Sequence, residues 1–337
     1  MENLRLMNKI VIIGAGWYGC YLAYLCKLKN IDYIVYEKCS DIFQKSSSHN
    51  QNRLHLGYHY PRDYKTRIDS KVGFEKFINS FPELSTEIEK NIYSVHKDSI
   101  VDFQTYINIF THEGYDFEVL TDSLSDNFQG SIIVHERHIN HDRSKLFFKK
   151  ANLNIEFNSK VNYNNGQYFL DNKLISDPIY NCTYGGLESE ISQKNYFNQK
   201  FISFIIKKKS NVLPFDAITV MDGPFYSIFP FNKKLSQYTL THVKYGVVSK
   251  KMNELEINNL FKLITAEIKI DLPDFDQHFE FSSYFISNKY KPKSNSDLRS
   301  TVIFQESNSY TICGGKIDTI FLMDNLLNEL DFKYKID

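Results

Sequence analysis

The segment 46–62 concentrates side chains that can move a proton or bind an anion. It reads SSSHNQNRLHLGYHYPR. Within it, His55 and His59 are candidate proton acceptors, because imidazole titrates near neutral pH. Four basic side chains lie in or just after it: Arg53, Arg62, Lys65 and Arg67. These groups can bind a phosphate or an anionic substrate, or they can simply hydrogen-bond a loop and lie at a solvated helix start.

Two further proton carriers and a histidine triplet lie elsewhere in the chain. Tyr226 and His242 lie in stretches with strand-like patterning. His135, His138 and His141 straddle a predicted strand–helix boundary with Asn140 as a helix cap, so we predict no metal site there. The five cysteines are odd in number and include no C-x-x-C pair, which favours a reducing compartment, the cytoplasm, over a disulfide framework.

The elements that must position these groups begin with a glycine turn. Residues 8–13 read NKIVII, a strand buried on both faces, and Gly14, Gly16 and Gly19 follow in G-x-G-x-x-G spacing. An amphipathic helix and a second apolar strand come next, and Glu37 ends that strand. Such a unit binds a dinucleotide, with the pyrophosphate at the helix N-terminus and the acid on the ribose hydroxyls. The unit alone does not distinguish FAD from NAD.

With these motifs in place, the chain resembles the D-amino-acid-oxidase-like (DAO) superfamily of FAD-dependent oxidoreductases. In that superfamily the second strand ends in Glu-Lys, and a polar stretch leads to S-x-H-N-x-x-x-L-H-x-G-x-x-Y. This sequence offers Glu37-Lys38, then Ser47, His49, Asn50, Leu54, His55, Gly57 and Tyr60. The resemblance implies FAD as the cofactor. It places along the flavin and its phosphates Ser47, Ser48, His49, Arg53 and Leu54, and it brings His55 to the isoalloxazine ring. A covalent flavin link at His49 stays open.

Three later segments are similar to elements of the same superfamily. A strand ending in Ser-Lys-Val implies that Val161 meets the adenine. The run LISDPIYNCTYGGL resembles the family's V-V-N-A-x-G turn, matched by Asn181, Cys182, Thr183 and Gly185, with Cys and Thr where Ala is commoner. Near the C-terminus, Gly314-Gly315-Lys316 precedes Ile317 and an amphipathic helix. In relatives the N-terminus of that helix faces the flavin. The resemblance also implies, by position on the substrate-domain sheet, that Tyr226 and His242 reach the substrate and contribute to catalysis.

These patterns predict an α/β fold with two domains. We expect a Rossmann-type FAD-binding domain of the glutathione-reductase/DAO-like kind, built from residues 1–80, 136–190 and 286–337. A substrate domain with a mixed, mainly antiparallel β-sheet would comprise residues 81–135 and 191–285. Its strand-like stretches are Lys200–Lys207, Ala217–Val220, Phe225–Phe231 and Tyr238–Tyr245, and residues 84–113 and 251–270 are predicted helices.

Composition narrows the class of function. Lys plus Arg and Asp plus Glu both total 40, which argues against a nucleic-acid partner. No apolar run is long enough to predict a membrane span. We therefore predict an FAD-dependent oxidoreductase that oxidises a C–N or C–O bond of a small substrate by hydride transfer to flavin N5. The substrate is anionic if the basic cluster of Arg53, Arg62, Lys65 and Arg67 binds it.

Three alternatives stay open for comparison with this prediction. A flavin-dependent enzyme similar to sugar-nucleotide mutases would use the same N-terminal unit, but the S-x-H-N segment argues against it. An NAD-dependent dehydrogenase is disfavoured by the closing G-G-K element. A non-catalytic dinucleotide-binding protein would keep the glycine turn without the chemistry.

Overall fold

A computed structural model describes residues 9–209, 213–249, 252–293 and 299–327. The chain divides into two compact units. Unit 1 comprises residues 1–48, 141–198 and 289–337, and unit 2 comprises residues 49–140 and 199–288. The later boundaries fall near the expected ones at 136, 190 and 286. Residues 49–80, expected with the cofactor domain, belong instead to unit 2.

The described residues form both helices and strands, and several strands follow one another without a helix between them. The helices are α1 (Trp17–Leu28), α2 (Tyr64–Ser80), α3 (Phe103–His112), α4 (His141–Lys150), α5 (Glu190–Asn195), α6 (Glu254–Asp271) and α7 (Phe275–His278). The strands of the first half are β1 (Ile10–Ile13), β2 (Tyr33–Glu37), β3 (Arg53–Leu54), β4 (Ser85–Glu87), β5 (Asn91–His96), β6 (Phe117–Val119), β7 (Phe128–Val134), β8 (Arg137–Ile139), β9 (Ile155–Phe157) and β10 (Val161–Asn164). The strands of the second half are β11 (Gln167–Leu170), β12 (Lys173–Leu174), β13 (Ile179–Asn181), β14 (Tyr196–Lys208), β15 (Ala217–Met221), β16 (Tyr226–Asn232), β17 (Gln237–His242), β18 (Phe279–Pro292), β19 (Val302–Glu306) and β20 (Ser309–Cys313). None of the helices in these described ranges is long and apolar enough to cross a membrane.

Unit 1 is built on a sheet in the order β19-β20-β13-β1-β2-β9. The neighbours from β20 to β9 are parallel, and β19 is antiparallel to β20. All four residues of β1 are buried, as expected for a parallel strand with neighbours on both sides. The Rossmann-type α/β prediction is confirmed.

Two turns in unit 1 depend on asparagine in the left-handed region. Asn30 has φ 54° and follows α1, where its left-handed backbone ends the helix. Asn158 has φ 58° and separates β9 from β10. The prediction of one strand ending in Ser-Lys-Val at Val161 is therefore wrong, because β9 ends at Phe157 and Val161 begins β10. This turn sends β9 to the large sheet and β10 to a small antiparallel sheet with β11 and β12.

Unit 2 is built on a sheet in the order β18-β14-β17-β16-β15-β5-β7-β6. From β14 to β6, neighbouring strands are antiparallel except for β15 with β5. This confirms a mixed, mainly antiparallel sheet. The predicted helix at 84–113 is wrong in its first part, because Asn91–His96 forms β5 with every residue buried. A strand buried on both faces has no alternation to distinguish it from a buried helix.

The two faces of the unit 2 sheet carry different chemistry, because successive strand residues point to opposite faces. One row, formed by Ile92, Ile218, Ile228 and Leu240, is apolar and shares a core cluster with α6 residues such as Ile264; we call this the α6 face. The next row carries hydroxyl groups on four adjacent strands: Tyr93, Thr219, Ser227 and Thr241. We call this the hydroxyl face. The Gln51 amide nitrogen lies 3.0 Å from the Ser227 hydroxyl and 3.3 Å from that of Thr241.

Candidate functional site

The glycine turn after β1 has no space for side chains. Gly14 has φ +96°, a region that L residues with a side chain rarely adopt. A Cβ at Gly19 would overlap the Gly14 carbonyl oxygen, and one at Gly16 would lie 2.9 Å from the Ser47 hydroxyl. The backbone is therefore bare on the side where a phosphate can approach it closely.

The N-terminus of α1 presents the positive end of the helix dipole. Gly16 is the N-cap and makes no side-chain cap bond, and the first turn has no acidic residue. The Trp17 amide donates to the Ser47 hydroxyl at 3.1 Å, so a residue of the polar segment lies directly at this terminus. The side-chain-free glycines and the positive end of the helix dipole fit a pyrophosphate.

Glu37 closes β2 beside the glycine turn. Its side chain is buried, and its two oxygens accept the amides of Ala15 at 2.6 Å and Cys39 at 2.8 Å. A carboxylate has about four lone-pair sites, so capacity remains for two ribose hydroxyls. Lys38 is exposed at the same corner, and Ser48 donates to the Lys45 carbonyl in a local turn.

The closing segment of unit 1 joins the first turn of α1. The Tyr18 hydroxyl donates to the Lys316 carbonyl at 2.8 Å, and it lies 2.8 Å from the Thr319 hydroxyl and 2.6 Å from that of Thr301. A Cβ at Gly314 would overlap the hydroxyl groups of Tyr18 and Thr301. Two segments about 300 residues apart thus converge in one place.

The residues after Gly314 form a tight, buried turn. Ile317 is buried and begins a 3-10 turn, and residues 322–327 are helical. The Gly315 Cα lies against the Tyr184 ring, where a Cβ would overlap the hydroxyl. The Lys316 ammonium lies 3.3 Å from the fully buried Asp318 carboxylate. A cation in this place compensates the buried acid.

The turn after β13 packs on the glycine turn from the other side. The Cys182 amide donates to the Ile13 carbonyl at 2.9 Å. The Asn181 amide oxygen accepts from the Thr183 hydroxyl at 2.7 Å, and Gly185 has φ +75°. The side chains hold the turn, so Cys182 and Thr183 can offer only their backbone to a ligand. Val161 lies in the same core cluster as Val11 and Ile13.

Unit 2 contains a buried arginine, Arg53, whose guanidinium donates hydrogen bonds from only one of its nitrogens to described residues. Arg53 lies in β3 and is 5% exposed. Its Nη1 donates to the Tyr93 hydroxyl at 2.9 Å and the Thr219 hydroxyl at 2.8 Å, and its guanidinium carbon lies 4.1 Å from the Phe229 ring centroid. Nε and Nη2 have no hydrogen-bond partner among the described residues. This edge is the two-donor fork that matches a carboxylate.

His55 lies beside Arg53 in sequence and is partly exposed. Its Nδ1 is 3.5 Å from the buried Glu136 carboxylate, and 18% of its side chain is exposed. Its ring centroid lies 5.8 Å from those of His59 and Tyr60. The predicted pair His55 and His59 is therefore brought together. The neighbouring His49 ring lies against Phe285, 5.4 Å between centroids, and Leu54 is fully buried.

Tyr226 and His242 lie on the α6 face, on the opposite side of the sheet from Tyr93. Their rings are opposite partners in β16 and β17, with centroids 6.3 Å apart. Burial lowers the pKa of His242 to about 4, despite the Glu267 carboxylate 3.6 Å away. Burial raises the pKa of Tyr226 well above its usual value. The structure does not bring these two residues together with His55 and His59.

Three of the four basic residues grouped in the sequence analysis form separate ion pairs with carboxylates. Arg62 lies 2.6 Å from Asp222, Lys65 lies 3.0 Å from Asp69, and Arg67 pairs with Glu113. These three are anchored by carboxylates, and Arg53 differs from them in its unpartnered edge. Glu136 and Tyr93, which sequence reasoning missed, complete the cluster around Arg53. The described residues contain no group of three or more His, Cys, Asp or Glu that could hold a metal ion.

Comparison with known proteins agrees with this geometry. The model of the NAD(P)-binding Rossmann-like domain family matches residues 12–68. The chain is 28% identical to the FAD-dependent monooxygenase FPY4 of Fusarium mangiferae, over 98% of this chain and 94% of that protein. It is 25% identical to the FAD-dependent monooxygenase kojA of Aspergillus flavus, over 93% of this chain and 83% of that protein.

Solved structures show the same fold at low identity. Glycine oxidase from Geobacillus kaustophilus superposes with a TM-score of 0.69 at 11% identity, covering 96% of this chain and 94% of that one. L-alpha-glycerophosphate oxidase from Mycoplasma pneumoniae, solved with FAD bound, gives a TM-score of 0.69 at 12% identity, covering 94% and 92%. The complete chain, not only its first unit, follows this architecture.

Proposed function

We propose, from the premise that this chain is an FAD-dependent oxidoreductase with the D-amino-acid-oxidase-like fold, that it oxidises a C–N or C–O bond of a small anionic substrate. Unit 1 would bind the cofactor. Unit 2 would bind the anionic group of the substrate and accept its proton. The observation that carries the substrate class is the buried Arg53 fork.

Residues of unit 1 fit FAD in their chemistry. The bare backbone at Gly14 and Gly16 and the N-terminus of α1 would hold the pyrophosphate, and Glu37 would hold the adenosine ribose. When bound, FAD supplies the acceptor for the hydride and thus for both electrons of the substrate C–H bond. The rest of the work falls to the chain's own side chains.

His55 is the proposed proton acceptor. As the substrate C–H bond breaks, the hydroxyl or amine on the same carbon must lose a proton, and an imidazole near neutral pKa can take it. Its Nδ1 faces Glu136, so the remaining ring nitrogen is the one assigned to the substrate. His59 and Tyr60 pack around the ring and orient it.

Arg53 is the proposed anion-binding residue. Its Nη1 is held by two hydroxyl groups of the sheet, which fixes the plane of the guanidinium. A buried N–H without a partner is costly, and a carboxylate would satisfy Nε and Nη2 together. Orientation by a two-point contact would hold one C–H bond in place for oxidation.

The test is anaerobic mixing of the FAD-loaded protein with a panel of small 2-hydroxy and 2-amino carboxylates and their methyl esters. We expect at least one free acid to bleach the flavin absorbance without NAD(P)H, and its ester to react more slowly. In Arg53→Met we expect KM for the acid to rise roughly ten- to hundredfold, the loss of a charge-assisted contact of about 1.5–3 kcal/mol, with little change for the ester. Arg62→Met, whose side chain is 39% exposed, is the matched control.

Two results would contradict this substrate class. Equal KM values for acid and ester in the unchanged protein would remove the anionic requirement. If no member of the panel reduces the flavin, the mutase-like or non-catalytic alternatives would regain weight, because neither requires net reduction by substrate.

A second candidate function, monooxygenation, follows from the names of the two fungal relatives. It differs in requiring molecular oxygen and an external reductant, and one oxygen atom enters the product. Turnover under labelled oxygen, followed by mass spectrometry of the product, separates the two. Label in the product would favour monooxygenation, and its absence with formation of a carbonyl or imine would favour dehydrogenation.

Replacing Glu37 by Ala tests the proposed cofactor site. We expect FAD to bind roughly ten- to hundredfold more weakly, because ribose hydroxyls would lose a charged acceptor. Fluorescence titration of the FAD-free protein measures the change. Glu156→Ala removes an exposed acid from β9 of the same sheet and should leave the affinity unchanged. An unaltered Kd in Glu37→Ala would contradict the ribose assignment.

A further inference from the structure

Glu136 is a fully buried acid that the sequence analysis did not single out. It follows β7 and immediately precedes β8, and its side chain is 0% exposed. Its Oε1 accepts the Leu56 amide at 3.0 Å and lies 3.5 Å from the His55 Nδ1. Its Oε2 accepts the Tyr93 hydroxyl at 2.7 Å and lies 3.8 Å from the Arg53 Nη1. One carboxylate thus contacts both functional side chains of unit 2.

The contacts of Glu136 favour its charged form. Burial alone would raise the pKa of this carboxyl, but His55, Arg53 and Tyr93 together outweigh burial and hold the pKa at about 2. The acid is therefore an anion throughout the neutral range. An anion beside Nδ1 favours the tautomer with hydrogen on Nδ1 and raises the proton affinity of the ring.

We propose that Glu136 is a positioning residue that makes His55 the proton acceptor: its carboxylate lies 3.5 Å from Nδ1 and stabilises the protonated ring, which raises the affinity of His55 for the substrate proton. This role rests on the proposed function of His55. The anchor is rigid on both sides. The Leu56 amide fixes Oε1 next to the His55 backbone, and the Tyr93 hydroxyl fixes Oε2 to the central strand β5.

A count of charges shows how substrate and proton are linked at this cluster. Arg53 and Glu136 together are neutral. An anionic substrate on the Arg53 fork adds one negative charge. Transfer of a proton from that substrate to His55 leaves this net charge unchanged, and the hydride that leaves for FAD carries the negative charge away. The N–H or O–H bond of the substrate breaks, a ring N–H bond forms, and the hydride with both electrons goes to FAD. Binding the anion and protonating His55 therefore favour each other.

Among the described residues, charged and titratable groups near His55 lie on several different elements. Glu136 lies between β7 and β8, Arg53 in β3 and Tyr93 in β5, and His59 and Tyr60 lie in the turn that follows. Glu136 is the one acid among these groups. Its removal should therefore lower the proton affinity of His55, since Arg53 would remain as a nearby cation.

The direct measurement is the titration of the His55 ring by NMR in the full-length FAD-loaded protein labelled on histidine nitrogens. A His55→Gln spectrum identifies the signals. We expect the unchanged protein to titrate above the ordinary value of about 6.5, with the Nδ1–H tautomer of the neutral ring. In Glu136→Gln we expect the midpoint to fall by about one to three pH units, as for loss of an opposite charge within about 4–6 Å.

Kinetics give a second readout that a merely structural acid would not move. The rate of flavin reduction should rise with pH through the His55 midpoint. In Glu136→Gln that midpoint should move down by the same amount, with a lower plateau because the base is weaker. Glu136→Asp keeps the charge and should restore the midpoint, although not the full rate. Glu118→Gln, which neutralises an exposed acid of β6, is the matched control and should change neither.

The outcomes separate this role from the proposed function. A His55 midpoint at or below the ordinary value in the unchanged protein would overturn the role of Glu136 even if Glu136→Gln fails to fold. An unshifted midpoint in a folded Glu136→Gln would also overturn it. If the shift occurs but His55→Ala reduces its flavin at the normal rate, the pair stands and the catalytic function assigned to it falls.

Discussion

Replacing Gly19 by Ala should abolish FAD binding. A Cβ at this position would overlap the Gly14 carbonyl oxygen, which is backbone and cannot rotate away. Relief would require α1 to move off β1, and that movement would open the turn that presents amides to the pyrophosphate. Purification of the variant and measurement of its flavin absorbance per protein would show the loss, and circular dichroism would show whether unit 1 still folds.

A second glycine in unit 1 provides the control. Gly166, in the turn between β10 and β11, has φ +80° with no atom within 4 Å of an added Cβ. Gly166→Ala should cost about 1 kcal/mol of stability through backbone strain and still bind FAD. Stoichiometric flavin in purified Gly19→Ala would refute the close packing on which the cofactor site depends.

Replacing His55 by Ala should slow flavin reduction by roughly a hundred- to ten-thousandfold, the usual contribution of a positioned proton acceptor. FAD affinity should change little, because the residues proposed to hold the cofactor belong to unit 1 and His55 belongs to unit 2. Anaerobic stopped-flow reduction by the substrate found in the carboxylate panel measures the effect. Added imidazole should restore part of the rate, because it can replace the missing base.

His112→Ala is the matched control for this change. His112 lies exposed in the last turn of α3, within unit 2. The flavin of the His112→Ala variant should be reduced at the normal rate. A His55→Ala protein that is reduced as fast as the control would remove His55 from the mechanism. His59 would then be the next proton acceptor to test, because its ring lies beside that of His55.

Local spacing was sufficient to predict the glycine turn. Gly14, Gly16 and Gly19 act within one strand–turn–helix unit, so their roles follow from neighbours a few residues away. Gly314 was predicted differently, from the resemblance of the Gly314-Gly315-Lys316 segment to an element of the DAO superfamily. By contrast, the contact of His55 with Glu136 joins residues far apart in the chain, and nothing in the local sequence around Glu136 indicates it.

Strand faces show a different limit of sequence reasoning. Alternation says that Tyr226 and Ser227 point to opposite sides of the sheet, but not which side packs against a helix. The structure places Tyr226 and His242 on the α6 face and Tyr93 on the hydroxyl face. Tyr226 and His242 are therefore separated from the His55 cluster, and their catalytic role stays a prediction. Register between strands, which is a long-range property, was needed to separate them.

The interleaving of the two units has a consequence for synthesis on the ribosome. The last segment of unit 2 ends at residue 288, whereas unit 1 takes β19 and β20 from residues beyond it. In the nascent chain, β13 has no neighbour on its outer side until β20 emerges. Unit 2 can therefore complete its sheet while the sheet of unit 1 is still open, and that sheet becomes whole only after β20 has emerged.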